Sequence, residues 1–506
     1  MKTTFWKTLL ALLLVLLMIC GLLSGCNRNT DTENTITASD DTTSDGTVSL
    51  RVVTEKTGSF MMNDLTEDLI EAYEASHENV VIDLEILPTD PEARDIRVES
   101  LRTEIIAGKG PDVFLMPTKL DPFLHESDGE LLFQNVSRSM YNGLFADISE
   151  YYDADTDLRK EELQATVMDA GVVGNERYVL PLRYTFETLL INEETLAKYD
   201  ITVDEITGNI QNLVNTVLDS QDEKLICSIS YKLLESMTML PELINYETGE
   251  IATSSEEIAE CFRIGRKITA VEDFCGDGYT SEDGGYYIEN GGNASLQAFV
   301  QGYYWNDGEH PIFVGSLVDA LHSYIVGKTI GKDEVLAYPM QTMDGSVIAE
   351  VTYWGAIGAG CQNVGVAYDF LSQFLSQEAL WELDRSKSLA AKAGELYEDG
   401  YPVRIKGSVE PLTESLVNIA SKAKCDQDPE GGKARFLSLK RTELIDTDFP
   451  LLDVEIDTAR FPILWEEELL NNFRLLYRNN SELSDEQIDE MTADLCRTLE
   501  FYVAES

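Results

Sequence analysis

The chain has 506 residues, 38 of them basic and 91 acidic, for a formal net charge of −53. Such a surface repels phosphate backbones and anionic headgroups, so no nucleic-acid partner is expected. With 43% hydrophobic residues the chain is too apolar for a disordered protein, and its length suits two or three domains or lobes.

The first element is an address. Lys2 and Lys7 precede an unbroken apolar run from Leu9 to Cys20, and Leu23-Ser24-Gly25-Cys26 follows. This is the order of a secretory signal peptide. The run is shorter than the roughly 20 residues a permanent membrane span needs. The junction resembles the bacterial lipobox, which implies that residues 1–25 are removed and that Cys26 carries a diacylglycerol. Residues 27–46 are almost wholly Thr, Ser, Asp, Asn and Glu and cannot bury enough surface to order themselves. Residues 26–47 are thus expected to be a flexible tether.

Regular patterning begins at Val48. Alternation predicts strands over Val48–Thr54 and Val80–Leu87, with a helix over Asn63–Ser76 between them. A second amphipathic helix, Pro91–Ala107, stops at Gly108-Lys109-Gly110-Pro111, and Asp112–Met116 reads as a buried strand. Strand, helix, strand, helix, strand implies a doubly wound α/β unit. The stretch Tyr178–Tyr184 followed by Leu189–Asn192 reads as the passage into a second lobe. Helices are expected over Ile206–Ser220 and Ser255–Ala270, and sheet over Pro311–Val314, Val335–Pro339 and Val347–Ala359. The helices Val364–Leu375 and Gln377–Leu383 come next. A capping box at Ser484-Asp485-Glu486-Gln487 launches a last helix to Tyr502. The expected division is 48–175 with 350–405 for an N-terminal lobe, and 176–349 with 406–506 for a C-terminal lobe.

Signatures of catalysis are absent from the sequence. The four histidines, His77, His125, His310 and His322, have no i, i+4 partner, which excludes an H-E-x-x-H zinc site. There is no G-x-S-x-G elbow, P-loop or dinucleotide fingerprint. Gly355-x-x-Gly358-x-Gly360 has the wrong order and lies in an apolar run, so it reads as a tight strand-to-loop passage. Asp153-x-Asp155-x-Asp157 starts like a calcium loop but has Leu158 and Gln164 where Gly and Glu are required, and reads as a solvated turn. Asp426-x-Asp428-x-Glu430-Gly431 has the Gly but Leu437 at the closing position. The six cysteines of the body form no C-x-x-C pair. No cofactor and no metal are expected. A carboxylate pair for glycoside hydrolysis has no fixed sequence spacing, so a surface glycan-acting enzyme stays open.

The order of several segments resembles the family 1 extracellular solute-binding proteins, the carbohydrate-type binding subunits of ABC importers. The segments are the lipobox, Gly108–Val113, Phe145–Tyr152, Tyr178–Pro181 with Ile191-Asn192, Ala367–Leu371 with Leu375–Glu378, Gly400–Arg404 and Thr498–Glu505. The resemblance implies two α/β lobes of the type II periplasmic-binding-protein-like fold, closing by hinge motion over a carbohydrate, expected to be an oligosaccharide, in a role without catalysis. It further implies a monomer on the outer face of the cell membrane, with permease subunits as partners. A same-fold adhesin or sensor lipoprotein is the remaining alternative. The segments 276–293 and 426–435 read as insertions relative to that family.

In such folds ligands sit beyond strand carboxyl ends. The residues this nominates on the first lobe are Glu55, Lys56 and Ser59, then Met116 and Thr118; on the second lobe the resemblance implies Arg183, Tyr184, Thr185 and Ser316, which match the ligand-facing loops of that family. Sugars present hydroxyl edges and apolar ring faces, which aromatic platforms can cover. Tyr184, Trp305, Tyr353 and Trp354 are the expected platforms.

Overall fold

A computed structural model describes residues 46–56, 60–120, 131–220, 244–245, 250–269, 312–317, 335–376, 401–404, 454–462 and 484–504. The signal peptide, Cys26, Ser59, Trp305, the expected helix Gln377–Leu383 and the two insertions lie outside the described residues. No helix among the described residues is long and apolar enough to cross a membrane.

The first unit follows the sequence pattern closely. Strand β1 (Val48–Thr54), helix α1 (Phe60–Ser76), β2 (Val80–Ile86), α2 (Pro91–Ile106) and β3 (Val113–Pro117) alternate as expected. Both strand pairs are parallel, with β1 between β2 and β3. Helix α2 starts where it does because the Asp90 carboxylate accepts from Ala93 N at 3.0 Å and Pro91 occupies the first turn. Every residue of β3 is buried, as suits a strand covered on both faces.

Later strands complete this sheet. Strand β4 (Val179–Thr185) leads directly into β5 (Glu187–Asn192), while β6 (Ile312–Ser316), β7 (Val335–Pro339), β8 (Ile348–Ile357), β9 (Tyr401–Pro402) and β10 (Thr458–Arg460) follow. Seven of them form one mixed sheet in the order β9-β4-β8-β3-β1-β2, with β10 paired to β8, and three form a second sheet in the order β6-β5-β7. The sequence placed Tyr178–Tyr184 in the second lobe. In the structure β4 pairs antiparallel with β8 in the first sheet, and the chain changes sheets at Phe186. Strand β10, also expected in the second lobe, is likewise in the first sheet. A strand's own composition fixes that it is buried, not which sheet it joins.

The glycines that follow β8 explain the Gly108–Pro111 loop. A Cβ on Gly358 would overlap the Pro111 carbonyl oxygen, and one on Gly360 would come within 2.6 Å of Gly108 O. Loop and strand end thus pack backbone to backbone, which only glycine permits.

The second sheet is packed by helices. Helix α3 (Ile210–Ser220) buries Ile210, Leu213, Val214 and Val217, one stripe at helical spacing. Helix α4 (Ser255–Thr269) is started by a reciprocal cap in which Ser254 N donates to Glu257 and Glu257 N donates to Ser254 Oγ. Helix α5 (Asp485–Ala504) begins at the capping box read from sequence: Ser484 N donates to Gln487 Oε1 at 2.9 Å and Gln487 N to Ser484 Oγ at 3.3 Å. Side chains of all three helices, with Leu189, Ile191 and Ile312, make one apolar cluster.

Candidate ligand cleft

The strand order puts a topological switch at one place. The chain leaves β1 toward β2 on one side and returns to β3 on the other, so the connections diverge at the carboxyl ends of β1 and β3. Such a point leaves a crevice for a ligand. Glu55 and Lys56 extend from β1, and Thr118 and Lys119 from β3. Strand β4, paired with β8, brings Arg183, Tyr184 and Thr185 to the same edge, and Glu350 of β8 is the register partner of Thr185.

The passage to the second sheet begins at this edge. Leu317 N donates to Phe186 O at 2.8 Å and Met340 N to Glu187 O at 2.8 Å. Ser316 pairs with Glu187, and the Thr188 hydroxyl donates to Ser316 O at 3.2 Å. Ser316 is therefore fixed beside the crossing.

The nominated residues divide by burial. Lys56 is exposed at the edge. Thr118 is 9% exposed, and both its N–H and its hydroxyl donate to Thr352 O, which ties β3 to β8. Thr185 is half-buried, and its hydroxyl oxygen is enclosed without a hydrogen-bond partner among the described residues. Arg183 is buried on β4.

Glu55 and the aromatic candidates are placed otherwise than expected. Glu55 and Arg94 of α2 are each 1% exposed, and the carboxylate takes two bonds from the guanidinium at 2.6 and 2.7 Å. Glu55 is thus an anchor for the end of β1. Tyr353 is fully buried: its hydroxyl lies 3.0 Å from Thr54 Oγ1 and donates to Leu115 O at 3.2 Å, bracing β1 against β3. Trp354, 1% exposed, packs edge-on to Phe133, Phe145 and Phe461. Tyr184 is 1% exposed against Tyr401, and burial raises its phenol pKa. Met116 belongs to the same core. None of these four presents a ring or thioether face for stacking. The physical reason is common: β8 and β3 are central strands covered on both faces, so both of their side-chain rows are internal.

Four charged residues at this edge, Glu350, Lys119, Arg460 and Arg94, escaped the sequence reading. Glu350 lies 3.8 Å from Lys119 Nζ and 3.5 Å from Arg460 Nη2, and its side chain is 14% exposed. A carboxylate inside the apolar run Val347–Ala359 was the signal for Glu350. Arg94 had one too, since it shares the buried stripe of α2 with Val98 and Leu101. A cation in an apolar stripe implies a buried partner. Among the described residues no group of three or more His, Cys, Asp and Glu side chains could hold a metal ion.

No protein-family model matches the chain, and no curated protein does. Solved structures do. An extracellular solute-binding protein family 1 from Alicyclobacillus acidocaldarius is 13% identical, covering 90% of this chain and 99% of its own, with a TM-score of 0.48. A periplasmic oligogalacturonide binding protein from Yersinia enterocolitica is 15% identical, covering 89% and 100%, at 0.47. A de novo designed cysteine esterase is 12% identical, covering 91% and 98%, at 0.50. At such identities the likeness is one of fold and not of chemistry. The described residues build a mixed α/β fold on a seven-stranded and a three-stranded sheet, and over most of its length the chain is similar to extracellular solute-binding proteins.

Proposed function

We propose that the chain is a lipid-anchored receptor that captures an extracellular carbohydrate where its two sheets join and delivers it to an ABC permease. The observation that carries the reading is the convergence of Lys56, Thr118, Thr185 and Ser316 on the edge where β1 and β3 diverge and the chain crosses between sheets. Crossing strands at a cleft are what a hinge needs, because a few residues between two packed units absorb the closing rotation. The ordered segments of the sequence and the lipobox at Cys26 support the same reading. Hydroxyl and ammonium groups at this edge suit a polyhydroxylated ligand. Two of the carboxylates there are held in ion pairs, Glu55 with Arg94 and Glu350 with Arg460, an arrangement that suits a binder.

Titration calorimetry of the protein with mono- and oligosaccharides tests the reading. Heat of binding that falls on Lys56→Ala and Thr118→Val is the expected result. Silence across the sugar panel removes the carbohydrate part, and turnover of a glycan replaces the receptor with an enzyme. Replacing Cys26 by Ser tests the anchor: the protein should move from the membrane fraction to the medium.

A further inference from the structure

A second opening lies at the far end of the first sheet. The short helix Ser149–Ala154, the turn after it and the helix Val364–Ser372 line a half-open cavity of about 840 Å³, within the range of about 300–1,000 Å³ typical of small-ligand sites. Ala146 N donates to Ile357 O at 2.8 Å, and Ile357 pairs with Val113. The cavity wall is therefore reached from the amino end of β3, whereas Lys56 and Thr118 lie at the carboxyl end. A five-residue strand separates the two ends by roughly 15 Å.

The walls are held in place. One oxygen of Asp155 accepts from the N–H groups of Asp157 and Leu158 at 3.0 Å each, and the other accepts from the Tyr368 hydroxyl at 3.1 Å. Arg404, 3% exposed, donates to Leu158 O at 2.7 Å and Leu375 O at 2.6 Å and pairs with Glu162. Between these anchors Arg159 holds a left-handed backbone, φ 48°, a conformation that a residue with a side chain keeps only when its surroundings impose it. A preformed wall of this kind lowers the ordering cost of binding.

The lining combines a ring with planar polar groups. Tyr151 is 40% exposed and stacks on Tyr368, with centroids 5.8 Å apart at 26°. Gly365 makes room for it, since an added Cβ would come within 3.1 Å of the Tyr151 ring. The Asp157 carboxylate and the Gln373 amide also line the cavity. An aromatic face beside a carboxylate and an amide matches the apolar face and hydroxyl edge of a pyranose. Glu150, Asp155, Asp157 and Asp369 outnumber Arg159 and Arg404 around the same space, and Arg404 is taken up by Glu162, which disfavours an acidic sugar.

We propose that this cavity is a second carbohydrate site, taking a neutral pyranose unit with Tyr151 as its platform and Asp157 and Gln373 as partners for its hydroxyls. Two sites on one body let a long glycan be held outside the cleft, which raises its effective concentration there. The proposal does not depend on the cleft being a sugar site.

Saturation-transfer NMR on the full chain with maltotriose, cellotriose and mannotriose tests it, with digalacturonate as the acidic control. At least one neutral trisaccharide should give a signal that persists in Lys56→Ala and falls fivefold or more in Tyr151→Ala, while Tyr151→Phe retains it. Gln373→Ala and Asp157→Ala, which remove polar groups and leave the stacked ring in place, should each weaken the same signal if Tyr151→Ala does not fold. The proposal is overturned if no neutral trisaccharide gives a signal in Lys56→Ala. It is equally overturned if the Tyr151, Asp157 and Gln373 variants leave the signal unchanged or if digalacturonate binds there as well.

Discussion

The two cores of this molecule are held together by different means. Around the second sheet the cluster is almost wholly aliphatic and aromatic, contributed by helices α3, α4 and α5 at helical spacing. Around the first sheet an apolar cluster of the same kind is crossed by buried ion pairs. Arg94 meets Glu55 across 39 residues of sequence, and Arg404 meets Glu162 across 242. Arg177, 8% exposed, lies 4.1 Å over the Tyr152 ring and donates to Met168 O. Apolar periodicity closes the second core, and the first needs specific long-range partners. The ion pairs sit where loops leave the sheet, at the end of β1 and beyond β9, so they fix strand ends and with them the edges of the proposed sites.

Arg94→Ala breaks the contrast most directly. It leaves Glu55 buried and uncompensated, a change that costs about 3–5 kcal/mol, whereas replacing both partners by Met should recover most of the loss. Chemical denaturation of the two variants measures the difference. If Arg94→Ala costs no more than a surface substitution, the ion pair does not hold the end of β1. On the other side of the comparison, Leu213→Ala in α3 removes a side chain 1% exposed, and truncations of this kind cost about 2–5 kcal/mol. Leu213 has no charged partner to leave behind, so no second substitution should repair that loss.

Gly358→Ala tests backbone packing in the first core. Its Cβ meets a carbonyl oxygen of the loop at Pro111, and neither side can retreat without moving β8 or the loop, so a loss of about 1–3 kcal/mol is expected. The same denaturation experiment reads it. A neutral result would mean that the loop gives way easily and that the glycine is not required by close approach.

What the sequence revealed follows the same division. Helices α2 to α5 and strands β1 to β3 were legible because periods of 3.6 and 2 record which face is buried, and the Ser484–Gln487 cap was legible because capping is local. The change of sheet at Phe186 was not, because Val179–Thr185 has the same composition whichever sheet it joins. Trp354 and Tyr353 were read as platforms for a ligand, yet from Tyr353 to Ile357 the strand holds only apolar or aromatic residues and glycine, as suits a central strand with no free face there. Glu55 was nominated from its position beyond β1, and only the fold could supply Arg94 opposite it. The sequence reading did not bring out the cavity beside Tyr151 either, since its lining comes from segments more than 200 residues apart.

The smallest expected effect lies on the solvent side of the first sheet. Glu104 of α2 is bonded by Arg97 at 2.9 Å and Arg51 at 2.7 Å, and the hydrogen bond from Arg97, followed by that from Arg51, holds its pKa at about 2 against an ordinary 4.5. Because the folded value is the lower one, the unfolded chain binds this proton first as pH falls. The stabilisation is therefore complete above about pH 5 and is lost as pH falls from about 4.5 through about 2. Half-exposed pairs of this kind contribute about 0–1 kcal/mol, so the effect is read as a difference between variants. Arg97→Ala should lie below the wild type in denaturation midpoint at pH 7 and converge with it as pH approaches 2, and salt should narrow the gap at pH 7. A gap that stays constant across that range would assign the role of Arg97 to packing of its aliphatic stem along α2 and not to its charge.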